Sequence, residues 1–564
     1  MRAGPTRHCG VDEALGPPEA TARRGWLLTA GAIAVAAALS FHGLGNHLLW
    51  DDEANTALFG RNLLESGELT AWDGRNLVGF RGGGELDERL RNVYMPPLQY
   101  WIAAGAIATL GQSAFAVRVP FVLLGLAAIA VLAVLARRLL GDGFPWALPA
   151  WLAALSPAYL LYIRNCRYYA PGALLYVALL AAFAAKLDTR RSLLINGALA
   201  LLATAGLALT NYIYAACAAG ALPLFFLLRR FRDRRHLLLL VAVAAVAAGM
   251  ALRVYLQANP LETTNIREDT TPPVERFFTL FGWHLSGLGT FEFLPLLLLP
   301  FAALPLASKR LVALRPTATR SGLSAAAILV AVVLCAAFSP QSVSGSMVAD
   351  MRYLVPLILM GTLVTGAAIW SLWRLWRPLA VVALGLTFFS NIFELGFMGD
   401  DNGFVEPKDV QCTLCRYVAE NLENPVTNTE RVVGLLQEVP DDTEVLIVPT
   451  YMGYSPMYHC PELRYCCQLE EDHPLAEDLR SGLAPHVLWS AASPELGLIS
   501  SVSPPSRSGP LVVNGQNLGT FTVVGMLDAR AQSTSRPEIP WHAFDEEEQH
   551  TLSRPPFLVV EITR

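Results

Sequence analysis

Residues 26–45 contain no Lys, Arg, Asp or Glu. A helix of that length and composition is long enough to cross the hydrocarbon core of a bilayer. Similar apolar stretches recur at 117–136, 146–163, 170–186, 192–210, 211–228, 237–256, 291–307, 322–338, 353–372 and 378–396, which makes eleven expected spans. Only 16% of the residues are charged, against roughly 25% in an average soluble protein, and the mean hydropathy is +0.40. The pattern is that of a polytopic α-helical membrane protein. No apolar run precedes residue 23, so the first span is expected to remain as an anchor rather than be cleaved as a signal peptide.

Orientation follows from the basic residues of the short loops. Arg23-Arg24, Arg137-Arg138, Lys186 with Arg190-Arg191, Arg229-Arg230, Arg232, Arg234-Arg235, Lys309-Arg310, Arg315, Arg320, Arg374 and Arg377 all fall on one side, where the acids are Asp142, Asp188 and Asp233. Positive loops stay inside, so the tail 1–25 is expected in the cytoplasm. The Ala-rich spans point to a bacterial inner membrane, with periplasm on the other side. The scheme requires that the apolar segment 98–110 not span. With 13 residues it is short enough to lie at the interface instead.

Residues 46–116 then form a long first external loop, with an amphipathic helix expected over 54–64. The membrane domain is read as 26–398. An odd number of spans places the mostly polar stretch 399–564 outside. There 444–448 and 557–561 read as strands, 430–437 as a helix and 528–548 as a Pro-containing loop, which together suggest a small α/β domain.

The first span is followed by Leu48-Leu49-Trp50-Asp51-Asp52-Glu53. Carboxylates held at a membrane surface can act as a base on a substrate anchored in lipid. The alternative is that they are acids solvated at a helix end. Four Arg residues, Arg118, Arg164, Arg167 and Arg352, fall at the outer ends of expected spans, the minority side for cations. Their planar forks suit phosphate oxygens. The competing reading for each is snorkelling to the headgroups.

A set of short motifs carries a family resemblance. Asp52-Glu53-Ala54-Asn55 followed by Leu63-Leu64-Glu65-Ser66-Gly67, then Pro96-Pro97-Leu98-Gln99-Tyr100-Trp101, Gly111-Gln112-Ser113-Ala114-Phe115-Ala116-Val117-Arg118-Val119-Pro120, Arg164-Asn165-Cys166-Arg167-Tyr168-Tyr169 and Met351-Arg352-Tyr353-Leu354-Val355-Pro356 occur in this order. The series resembles the lipid-dependent membrane glycosyltransferases of GT-C fold. Within that fold the series looks like the protein O-mannosyltransferase and lipid A aminoarabinose transferase superfamily. The resemblance implies a polyprenyl-phosphate sugar donor, a lipid or protein acceptor, and an inverting single displacement at the external face. Asp52 matches the family's catalytic Asp. Asp51 and Glu53 are expected to orient it, to bind acceptor or a divalent cation, or to face water. The donor phosphate is left to Arg352 and Arg164 first, then Arg167 and Arg118. Many family members carry Lys or His directly before the Pro-Pro pair. Tyr94-Met95 stands there instead, which counts against aminoarabinose transfer to lipid A.

Nine cysteines are present. Cys166, Cys217 and Cys335 read as small apolar residues. Cys412, Cys415, Cys460, Cys466 and Cys467 lie in the external stretch, where disulfides are favoured and an odd number leaves one over. Cys412 and Cys415 with His459-Cys460 can alternatively be read as zinc ligands. His284 and Glu292 fall near the outer end of a span and can line a pocket or simply pack. No Gly-rich phosphate loop and no basic-aromatic pattern indicates nucleotide or nucleic acid. The rival functional class is a transporter or flippase of lipid-linked sugars, which predicts internal repeats and mid-membrane polar groups. A non-catalytic assembly protein is a third reading.

Overall fold

The computed structural model describes residues 18–78, 86–87, 89–92, 95–141, 143–228, 233–258, 270–343, 350–396, 410–423, 426–448, 450–465, 496–500, 508–513, 516–527 and 557–563. Cys466, Cys467, Arg229-Arg230, Arg232, the loop expected over 528–548 and the start of the N-terminal tail lie outside the described residues.

Among the described residues six helices are long and apolar enough to cross a membrane: Ala22–Phe41, Ala114–Leu140, Arg190–Ala208, Arg234–Arg253, Lys309–Phe338 and Met351–Leu375. Shorter apolar helices run over Leu98–Leu110, Tyr169–Phe183, Tyr212–Phe226, Leu296–Ala307 and Arg377–Phe389. The last long helix, Met351–Leu375, is the most enclosed and sits at the centre of the bundle.

Three expected spans are not continuous α-helices, and the one over 378–396 is helical only across Arg377–Phe389. The stretch expected over 146–163 divides into Leu148–Ala154 and Pro157–Ile163. Pro157 disfavours helical geometry in the residue before it, and the Ser156 hydroxyl caps the new helix by accepting from the Tyr159 N–H at 3.3 Å. The stretch expected over 291–307 is mainly a 3-10 helix, Leu296–Ala303, preceded by a turn at Phe291 and Glu292. Pro295, Pro300 and Pro305 each remove a backbone donor, so an uninterrupted α-helix cannot form. An additional helix, Pro273–Thr290, was not expected as a span. Its sequence includes Arg276 and His284 on the buried side, which breaks the apolar signature. Arg276 is absorbed by the Ser339 carbonyl and the Gln341 carbonyl, the latter at 3.0 Å.

The helix expected over 54–64 begins earlier, at Asp51, and runs to Ser66. The three acids therefore form its first turn, where the helix dipole favours negative charge. Gly67 closes it in a left-handed conformation, φ 78°. The helix packs on Leu98–Leu110 so closely that a Cβ on Gly60 would stand 2.9 Å from the Ala104 nitrogen.

The helix Ala114–Leu140 shows the two ends of the bundle. Arg118 and Arg138 on it stand about 30 Å apart at ~1.5 Å per residue. At the Arg138 end the basic loops gather. Arg138 donates to the Ala181 carbonyl at 2.8 Å and to Asn196 Oδ1 at 3.1 Å, and Arg320 donates to the Leu140 carbonyl at 3.3 Å. At the Arg118 end lie the acids.

The C-terminal portion holds helices Thr413–Glu423, Asn428–Leu436 and Tyr454–His459. Six strands, β1 (Glu444–Val448), β2 (Arg464–Tyr465), β3 (Leu496–Ser500), β4 (Ser508–Val513), β5 (Gln516–Leu527) and β6 (Phe557–Thr563), form one mixed sheet in the order β2-β1-β3-β6-β5-β4. β1 is parallel to β2 and β3, and the remaining pairs are antiparallel. A capping box at Thr427 and Glu430 starts the second helix.

The described residues between 410 and 465 lie against the acid-bearing end of the bundle. Glu430 bonds His47 at 3.0 Å, the Tyr458 hydroxyl donates to the Gln112 carbonyl at 2.8 Å, and Asn76 pairs with both the Leu463 carbonyl and the Tyr465 N–H.

Candidate active site

Asp51, Asp52 and Glu53 are consecutive on a helix, so their side chains diverge by about 100° each. Each meets a different environment. Glu53 is fully buried. Its carboxylate accepts from Arg118 Nε at 2.9 and 3.2 Å, from Arg118 Nη2 at 2.5 Å and from the Cys166 N–H at 2.9 Å. Arg118 spends its remaining donors on the carbonyls of Leu44, His47 and Leu48, at 2.9, 2.8 and 3.0 Å. This pair ties the end of the first span to the Asp51–Ser66 helix and to the chain at Cys166. Asp51 is buried in the same turn.

Asp52 points elsewhere. Its Oδ2 lies 3.0 Å from Arg167 Nη2 and 3.2 Å from Arg352 Nη1. Arg167 also donates to the Asp52 carbonyl and to the Thr56 hydroxyl, both at 3.2 Å. Burial opposes the Arg167 charge, but the Asp52 carboxylate overrides it and holds the guanidinium firmly protonated. The Arg167 side chain is 6% exposed, whereas Asp52 and Arg352 keep 26% and 24%. The cluster therefore opens to the molecular surface along Asp52 and Arg352.

The two guanidiniums are alike in their support. Arg167 lies over the Tyr168 ring at 5.4 Å and Arg352 over the Tyr353 ring at 5.5 Å. Tyr168 contacts Tyr169 and Tyr214 edge-on, with centroids 4.7 and 5.7 Å apart. The Tyr214 hydroxyl donates to the Arg352 carbonyl. On its far edge Arg352 Nε donates to Asp350 at 2.8 Å. Burial pushes the Asp350 carboxyl above its ordinary range, and Arg352 works against that rise.

Of the four arginines expected at a phosphate, two thus meet Asp52 and two do not. Arg164 is turned toward the C-terminal portion, where Nη1 donates to the Tyr417 hydroxyl at 3.1 Å and to Asn421 Oδ1. Its neighbour Asn165 accepts from the Trp50 indole at 2.5 Å. Asp350 and Tyr214 fall outside the motifs read from the sequence, whereas Tyr168, Tyr169 and Tyr353 stand within them. The Arg-Tyr pairs at 167–168 and 352–353, and an acid two residues before Arg352, were the available signals.

A divalent cation does not fit the acids as they stand. Both Glu53 oxygens are engaged, Asp52 faces two cations, and among the described residues no three His, Cys, Asp or Glu side chains converge. Cys412 and Cys415 are joined by a disulfide, which removes the pair as zinc thiolates. His459 Nε2 accepts from the Leu49 N–H at 3.3 Å. His284 is buried against Cys335 at 3.5 Å, and Glu292 is buried beside Gly396.

No protein-family model matches the chain, and no curated protein sequence matches it. Among solved structures it is similar to ArnT from Cupriavidus metallidurans bound to undecaprenyl phosphate, at 16% identity and a TM-score of 0.48 over 84% of this chain and 93% of that one. The apo form of that protein gives 18% identity and a TM-score of 0.47, over 85% and 93%. The archaeal oligosaccharyltransferase AglB from Archaeoglobus fulgidus, in complex with an inhibitory peptide and a dolichol-phosphate, gives 12% identity and a TM-score of 0.46, over 85% and 70%. These are likenesses of outline, and the functional reading rests on the residues around Asp52.

Proposed function

We propose that this protein is an integral-membrane glycosyltransferase of GT-C type. It moves a sugar from a polyprenyl-phosphate donor to a lipid or protein acceptor on the external face. The observation that carries the reading is the convergence of Arg167 and Arg352, from distant parts of the chain, on the partly open carboxylate of Asp52. The ordered motifs between Asp52 and Pro356 support it.

In this reading the donor's tail stays in lipid and its phosphate lies against the guanidinium cluster. An acceptor hydroxyl or amine attacks the anomeric carbon from the face opposite the phosphate, and Asp52 takes the proton the acceptor loses. The bond from the anomeric carbon to the phosphate oxygen breaks, its electron pair leaves with the polyprenyl phosphate, and the anomeric configuration inverts. Arg352 and Arg167 neutralise the leaving group. Glu53 and Arg118 hold the helix that presents Asp52, and Arg164 anchors residues 417–421. Eleven spans, a cytoplasmic N-terminus, a bacterial inner membrane and an external α/β domain over 399–564 complete the reading.

The test is a deletion strain, with glycans and glycolipids compared by mass spectrometry. Loss of one sugar from one class of acceptor is expected, with restoration by the wild-type gene. Asp52→Asn keeps the shape and removes the base, so transfer should fall by roughly 10²–10⁴-fold at unchanged protein level. Restoration by Asp52→Asn would overturn the assignment of the base.

A further inference from the structure

We propose that Asp350 is a positioning residue for the transfer. It holds the Arg352 guanidinium by one edge so that the opposite end is presented to Asp52 and, when donor is bound, to the donor's phosphate. The proposal rests on the glycosyltransferase reading and adds to it a residue that sets the geometry of the phosphate contact.

A guanidinium has three nitrogens and five N–H bonds in one plane. In Arg352 the inner nitrogen, Nε, is bonded to Asp350 at 2.8 Å, and Nη1 at the outer end reaches Asp52 at 3.2 Å. The two acids thus lie on different parts of one fork. A flexible side chain that starts a helix would otherwise lose several rotamers on binding a ligand. Here one edge is already fixed.

Three further contacts immobilise the unit. The Tyr353 ring lies under the guanidinium, the Tyr214 hydroxyl bonds the Arg352 carbonyl, and Gln341 Oε1 accepts from the Asp350 N–H at 2.9 Å. Asp350 itself is less exposed than Asp52, with side chains at 16% and 26%. It is therefore the poorer candidate to meet an acceptor and the better one to orient a neighbour.

The arrangement has a consequence for the order of events. In the structure Asp52 Oδ2 is shared by two guanidiniums. A phosphate placed at the outer end of Arg352 competes with Asp52 for that cation. Because Asp350 retains the Nε edge, Arg352 stays in place while the phosphate competes for its outer nitrogens. Asp52 then gives up one of its two cation contacts when a donor is present to react.

The experiment uses full-length protein in lipid nanodiscs and undecaprenyl phosphate as the probe, with binding measured for Asp350→Asn, Asp350→Glu, Arg352→Ala and the double variant Asp350→Asn/Arg352→Ala. Wild type is expected to bind. Arg352→Ala and Asp350→Asn should each weaken binding by tenfold or more, the double variant should be no weaker than Arg352→Ala alone, and Asp350→Glu should recover part of the loss. Thermal unfolding of each variant shows whether it is folded, and Asp350→Glu keeps the comparison open if Asp350→Asn does not accumulate. A general structural role predicts losses that add in the double variant and no rescue by Glu, and that result would overturn the proposal. Wild-type binding by Asp350→Asn beside lost binding by Arg352→Ala would remove Asp350 and leave the donor reading intact. Absence of binding by the wild type would overturn both.

Discussion

Two neighbouring acids on one helical turn have opposite fates. Glu53 and Arg118 form a sealed pair, with side chains 0% and 5% exposed and every guanidinium nitrogen committed to protein. Asp52 with Arg167 and Arg352 forms an open cluster whose outer members keep about a quarter of their surface. A buried pair costs its desolvation once, at folding, and cannot be redeployed without leaving a charge stranded. A partly hydrated cluster can exchange one partner for a ligand. The difference separates a joint from a site, although the charges are of the same kind and one residue apart.

The contrast can be broken most directly at the two acids. Asp52→Asn is expected to abolish most transfer, by roughly 10²–10⁴-fold, with a smaller fall in Tm than Glu53→Gln, because the Asp52 side is partly hydrated and Arg352 keeps Asp350. Glu53→Gln leaves Arg118 buried and unpaired, which costs about 3–5 kcal/mol. It should show as a lower Tm and a poor yield of folded protein. Equal losses of folding in both variants would erase the distinction.

A sharper comparison lies among the arginines. Arg352→Lys keeps the charge and loses the fork. A charge-assisted bond is worth about 1.5–3 kcal/mol, so binding of undecaprenyl phosphate should weaken by about 10–100-fold while Tm holds. Full binding by Arg352→Lys would favour simple snorkelling. Arg164 should behave differently. Tyr417→Phe removes a hydroxyl that accepts from Arg164 and donates to the Leu39 carbonyl, at a cost of about 1 kcal/mol in stability and with transfer unaffected. A loss of transfer at wild-type stability would return Arg164 to the site.

The smallest effect concerns pH. Burial, with help from the Arg118 and Arg61 charges, lowers the His459 pKa from 6.5 to about 4, so the imidazole is neutral and accepts from the Leu49 N–H. A lowered folded value means that its contribution is complete above 6.5 and is lost as pH falls from 6.5 toward 4. Glu430 adds in the same direction. Burial would raise its carboxyl, but the bonds from His47 and Thr427 win and lower it below 4.5, so its contribution is lost in stronger acid. Protease accessibility of residues 410–465 should therefore rise as pH drops below about 6.5. His459→Gln, an acceptor that does not titrate, should flatten the upper part of that rise. An unchanged profile in this variant would remove His459 from the joint.

Much of the helical frame was legible because bilayer spans need long apolar runs, and the chain supplies them with little interruption. The same signal says nothing of backbone geometry where proline intervenes. Residues 291–307 are apolar enough to span, but Pro295, Pro300 and Pro305 turn them into a 3-10 segment. Hydropathy records the solvent a segment prefers and not the backbone bonds it can make. Pro273–Thr290 was missed for the converse reason: it buries Arg276 and His284 against specific partners, and a charge in an apolar stretch lowers the score whether or not it is satisfied.

For the site, residue type and local spacing were determined by the sequence alone. Three acids follow the first apolar stretch, each of two Arg residues precedes a Tyr, and all lie where expected spans end. Which cation meets which carboxylate was decided only by tertiary structure. Arg118 reaches Glu53 across 65 residues, and Arg352 reaches Asp52 across 300. Helical geometry turns successive side chains by about 100°, so one residue of difference sends Glu53 into the packed interior and Asp52 toward the opening. Partner choice then follows from how the helices pack against that turn. No local preference encodes it, because every guanidinium is attracted to every carboxylate and only position discriminates among them.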